Sequence, residues 1–169
     1  YTDNLAPAMR KETHVFFRHL LDNNLPTSEF LTAQYTFVNP ALARLYHLPV
    51  EKSDFPNPDS FIRVSTDGHP RGGLLGHSSI HTVTANGVDT SPIIRGVWLL
   101  ENILGTPPSP PPPDIEPIEP DTRGSTTIRD QMERHRSDPT CAECHRKIDP
   151  LGFALENFDA IGRFRTTYG

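Results

Sequence analysis

Eight of the chain's 18 prolines crowd into the fourteen positions from Pro107 to Pro120, in the stretch PPSPPPPDIEPIEP. Proline fixes φ and has no amide hydrogen, so neither a helix interior nor a central strand can run through such a stretch. It reads as polyproline II, at about 3.1 Å per residue and on the order of 40 Å in all. A spacer or a strap along a surface suits it better than a ligand for SH3-type domains. Regular structure must therefore be built on either side. The expected organisation is an N-terminal helical region (1–50), a loop plus helical region (51–106), a polyproline linker (107–121) and a helical C-terminal segment (122–169).

The flanks carry helical signals. In MRKETHVFFRHLL, Met9, Phe16, Phe17, Leu20 and Leu21 form an apolar stripe, and Asn23, Asn24 and Pro26 end it. SEFLTAQY predicts a further short helix. Asn39 and Pro40 read as a cap and first helical residue before ALARLY, which must stop before Pro49. Residues 51–70, punctuated by Pro56, Pro58, Gly68 and Pro70, read as loop, and RGGLLGHSSIHTVTAN is assigned to helix over strand. In TSPIIRGVWLLENILG, Ser91 caps, Pro92 opens the first turn, Ile93, Val97, Leu100 and Leu104 recur on one face, and Gly105 supplies the stop. Beyond the prolines, Ser125 caps a helix that places Ile128, Met132 and His135 on one face. Asp138-Pro139 starts another helix by the same device, and Asp149-Pro150 repeats it to open LGFALENF. The fold class expected is mainly α with long loops.

Composition narrows the function classes. Hydrophobic residues are only 35%, too few for a generous core in a chain of 169 residues, so partner chains or a bound apolar group are expected to complete it. A formal net charge of −5 with no basic run excludes a nucleic-acid footprint. No apolar stretch approaches the roughly 18 residues of a membrane span. The chain begins at Tyr1 rather than methionine, and a leader or upstream portion is expected before it.

The only two cysteines stand in CAECH, residues 141–145. C-x-x-C-H is the attachment pattern of c-type haem, in which two thiols add across the vinyl groups and the histidine ligates iron. On a helix Cys141, Cys144 and His145 fall at i, i+3 and i+4, which brings thiols and imidazole to one side of a macrocycle. A thioredoxin-like dithiol would follow a βαβ pattern, which is missing here. A zinc site completed by His135 and His145 has no familiar spacing. One covalent haem c is thus expected, held by Cys141 and Cys144 with His145 as proximal iron ligand.

The sixth iron ligand is expected from upstream, because residues 146–169 contain neither methionine nor histidine. His135 is the first candidate and Met132 the alternative, with Met9 and the remaining histidines further off. His77 and His81, at i and i+4, have a spacing that can hold a metal on a helix, but no third ligand stands beside them in the sequence.

The stretch from RGGLLGHSSIHTVTANG through the SPIIRGVWLLENILGTPPSPPPP run, followed by MERHRSDPTCAECHRKIDPLGFALENFDAIGRFR, closely resembles the planctomycete-type cytochrome c domain long catalogued as a domain of unknown function. FFRHLLDNN and FLTAQYTFVNPALARLY resemble what precedes that domain in large exported proteins. The resemblance implies haem attachment at Cys141, Cys144 and His145, places His135 in an H-R element just before them, and implies export to periplasm or cell surface. His77 and His81 depart from the family pattern. The functional expectation is a small helical mono-haem cytochrome domain with a polyproline strap, an electron carrier more than a catalyst. It would work with redox partner proteins, as a module of a larger assembly or a homo-oligomer. A haem peroxidase with an open sixth position and a structural subunit stabilised by haem are the alternatives.

Overall fold

A computed structural model describes residues 5–87, 89–110 and 139–167. Their packing falls into two compact units, Tyr1–Thr90 with Asn157–Gly169, and Ser91–Glu156. The described part is helical with one small two-stranded sheet.

The first unit runs α1 (Leu5–Asp22), α2 (Glu29–Thr32), β1 (Tyr35–Val38), α3 (Pro40–Tyr46), β2 (Ile62–Ser65) and α4 (Ser78–Val83), with 3₁₀ turns at Lys52–Asp54 and Leu74–Gly76. The α1 helix buries Leu5, Met9, Glu12, Phe16 and Leu20, a stripe narrower than the sequence suggests. Phe17 and Leu21 lie outside it, 48% and 60% exposed, and a carboxylate takes a place on the buried face. At α3 the expected cap is present: the Asn39 side chain accepts the Leu42 amide at 3.0 Å, and Pro40 follows. The helix stops at Tyr46 because His47 turns left-handed, at φ 54°.

One expectation holds in part in this unit and one is corrected. SEFLTAQY is helical only over α2, and Tyr35 already belongs to β1. The stretch 51–70 is not all loop, because Ile62–Ser65 pairs antiparallel with β1, from Val38 opposite Ile62 to Tyr35 opposite Ser65. The Pro and Gly punctuation hides a strand of only four residues, although Val64 is buried between exposed Arg63 and Ser65 in the period-2 manner of a strand. RGGLLGHSSIHTV does turn helical, first as 3₁₀ and then as α4.

Residues 157–167 close this unit. Phe158 bridges to Phe164, Ile161 packs on the core of Met9, Val38, Leu42 and Tyr46, and Gly162 (φ 78°) lies against Ser78. Arg71 holds the segment down. It is 3% exposed, its guanidinium lies 3.5 Å from the Tyr46 ring centroid, and it donates to the carbonyls of Gly76 and Gly162.

The second unit is built on α5 (Pro92–Asn102) and α6 (Pro139–Phe153). Ser91 caps α5 by accepting the Ile94 amide at 3.3 Å, as its sequence predicts. Of the Ile93/Val97/Leu100/Leu104 stripe the buried face keeps Leu100, beside Pro92, Arg95, Gly96 and Leu99; Leu104 is 54% exposed. Glycines decide this. A Cβ on Gly96 would collide with the Ile148 carbonyl oxygen, and one on Gly152 with that of Pro92, so each helix bares its backbone where the other touches it. On α6 the facing positions Ile148 and Gly152 extend back through Asp149 to His145, at i, i+3, i+4 and i+7. Among the described residues no helix is long and apolar enough to cross a membrane. The proline run beyond Pro110, and the Ile128, Met132 and His135 segment, lie outside the described residues.

Candidate functional site

The α6 helix, Pro139–Phe153 within the described residues, carries Cys141, Cys144 and His145 at helical positions i, i+3 and i+4. Cys144 is a half-buried free thiol. His145 is buried, and its Nδ1 lies 2.8 Å from Oδ1 of Asp149, itself only 3% exposed. A carboxylate can only accept, so Nδ1 carries the proton of this bond, and in a neutral imidazole the lone pair is then on Nε2. That tautomer is the one a metal-ligating histidine adopts when a carboxylate holds its other nitrogen.

Asp149 corrects the sequence reading. Asp149-Pro150 opens no new helix; α6 passes straight through to Phe153, with Pro150 inside it. Pro150 has no amide to give the Arg146 carbonyl, a cost inside a helix. The Asp149 carboxylate, taken from its local pattern as a cap, turns back one helical turn to His145. The H-x-x-x-D spacing is the sequence signal that could have found this contact.

Arg95 and Glu156 fix the pairing of α5 with α6. Arg95, fully buried, donates from Nη1 to the Leu155 carbonyl at 2.9 Å and to Oε1 of Glu156 at 3.0 Å. The guanidinium of one helix thus clamps the turn that ends the other, around the contact of Gly96 with Ile148. Nothing in the periodicity of α5 announces this, because an arginine on a buried stripe reads as surface until its partner, 61 positions away, is known.

The remaining candidates fall elsewhere. His77 and His81 are both fully buried in the first unit. The Thr13 hydroxyl lies 3.1 Å from Nδ1 of His77, whose ring meets Phe16 edge-on, and His81 stacks on Phe158 at 4.4 Å. Burial, and after it the charge of Arg71, pushes His77 down to about 3, so it is a neutral core residue. Among the described residues no three His, Cys, Asp or Glu side chains gather as a metal site. His135 and Met132, the expected distal ligands, lie outside the described residues.

Among comparisons with known proteins, the family model described as PSCyt3, protein of unknown function (DUF1588), matches residues 71–168, more than half of the chain. A second, described as PSD4, protein of unknown function (DUF1592), matches residues 1–48. No curated protein and no solved structure matches.

Proposed function

The chain belongs to the PSCyt3 family of proteins of unknown function, and on that premise we propose that it is an exported mono-haem c-type cytochrome module. It transfers electrons between redox partner proteins as part of a larger assembly, from the periplasm or cell surface. The observation that carries the reading is the His145 arrangement: a C-x-x-C-H motif on a helix, with the imidazole held through Nδ1, so that Nε2 would be the ligating nitrogen. The family's short name is compatible with it.

The donor set fits haem c. Cys141 and Cys144 would hold the group through thioethers, and His145 would be the proximal ligand. The sixth ligand would come from His135, or otherwise Met132. When bound, haem supplies a one-electron couple at iron. The chain's part is to attach, orient and keep still. The Arg95–Glu156 clamp and the bare-backbone contact at Gly96 hold α6 in one position against α5, so His145 moves little as charge changes.

The experiment is a spectroelectrochemical titration of protein matured with periplasmic haem-attachment machinery, beside a peroxide-dependent dye-oxidation assay. A reversible one-electron transition with no turnover of peroxide is expected. Sustained peroxide turnover would replace this reading with the peroxidase alternative, and an irreversible or silent response with the structural one.

A further inference from the structure

The placement of Asp149 is costly on local grounds. It is a carboxylate, 3% exposed, near the C-terminal end of α6, where the helix dipole disfavours negative charge, and it is followed by a proline. Helix propensity and capping both argue against it, since Asp149 sits inside the helix and not before it. Its 2.8 Å hydrogen bond to Nδ1 of His145 is what the position gains. Such a bond is charge-assisted, and it is shielded from water on both sides, as His145 is 8% exposed.

We propose that Asp149 is a positioning and tuning residue for the proximal ligand: its carboxylate gives the His145 imidazole partial imidazolate character and biases the iron toward the ferric state. This rests on the cytochrome reading. A more basic ligand stabilises the more positive metal, and hydrogen bonding to an axial ligand is one of the levers by which a protein sets a haem potential. The Nδ1 proton stays shared between His145 and Asp149 throughout. One electron enters from a reduced redox protein and one leaves to an oxidised one, with no proton released. The consequence is a low-potential carrier, whose electron acceptor can itself have a low potential.

Asp149→Asn separates charge from geometry, because the amide oxygen still accepts from Nδ1 but carries no charge. The haem content of wild type and variant is measured first by pyridine haemochrome, and then the midpoint potential of each. At a fixed electrode potential, the ferrous-to-ferric ratio of Asp149→Asn is expected to rise about tenfold, equivalent to about 59 mV for one electron. Asp149→Glu, which keeps the charge, is expected to stay nearer the wild type. In reduced, ¹⁵N-histidine-labelled wild type, the Nδ1 proton of His145 is expected as a slowly exchanging downfield resonance; a rapidly exchanging one overturns the proposal even if the variants fail to fold. Full haem content with an unchanged potential in Asp149→Asn overturns this inference alone. Wild type without haem overturns the cytochrome reading and this inference with it.

Discussion

Arg95→Ala is expected to cost about 3–5 kcal/mol, a large part of the 5–15 kcal/mol that holds a typical domain together. Arg95 is fully buried, and Glu156, its ion-pair partner at 3.0 Å, is 7% exposed. Truncation removes a volume filled by the guanidinium stem and leaves the Glu156 carboxylate facing a site that water does not reach. The Leu155 carbonyl also loses the Nη1 donor that meets it at 2.9 Å. Breaking one side of a buried pair costs more than replacing both sides with apolar groups of similar volume. The double variant Arg95→Met with Glu156→Leu is therefore expected to be more stable than Arg95→Ala. Trp98, the chain's single tryptophan, lies on α5 and reports on this unit directly. Urea unfolding followed by its fluorescence is expected to show a large drop in midpoint for Arg95→Ala and a smaller one for the double variant. Equal midpoints for Arg95→Ala and wild type would show that the Arg95–Glu156 pair does not hold α5 to α6.

A second large effect concerns pH and the first unit. Glu12 is fully buried on α1, where it accepts the Thr36 hydroxyl at 2.6 Å and the Tyr46 hydroxyl at 2.5 Å. Burial pushes its carboxyl from 4.5 up to about 7, against the pull of those two hydrogen bonds and the charge of Arg71. A carboxyl whose folded pKa is raised contributes stability that is complete below pH 4.5 and lost as pH rises toward 7. His77 runs the other way. Its folded pKa, about 3 against 6.5 unfolded, makes its contribution complete above pH 6.5 and lost as pH falls toward 3. Between pH 4.5 and 6.5 the two slopes, each about 1.4 kcal/mol per pH unit, oppose and nearly cancel. Removing either group exposes the other. Relative to wild type, Glu12→Gln is expected to gain about 3 kcal/mol of stability on going from pH 4.5 to 6.5, and His77→Gln to lose about as much. Urea midpoints by far-ultraviolet circular dichroism at three pH values across that window measure both. Parallel pH profiles for wild type and the two variants would contradict the assignment.

These two networks also mark where the sequence was opaque. The local devices were legible: Asn39 before Pro40 and Ser91 before Pro92 cap their helices through side-chain oxygens, because capping is decided within four residues. The helical i, i+3, i+4 spacing of Cys141, Cys144 and His145 was legible for the same reason. Glu12 was not, since the groups that allow a carboxylate on a buried stripe, Thr36 and Tyr46, stand 24 and 34 positions away. The buried face of α5 was misjudged because apolarity was followed where close approach mattered; Gly96 lets the Ile148 backbone in, and the face turns toward it. At Asp149 the cap-before-proline pattern points the wrong way, because the carboxylate is instead the i, i+4 partner of His145.

We propose that Cys141 and Cys144 bind haem covalently. The direct measurement is the haem content of the full chain, matured in a periplasm with c-type attachment machinery and then denatured in alkaline pyridine, before and after extraction with acidified organic solvent. One haem per chain that survives extraction, and that is lost when both Cys141 and Cys144 are replaced by serine, is the expected result. Haem that leaves with the solvent, or a chain that carries none, would rule out covalent attachment at these cysteines.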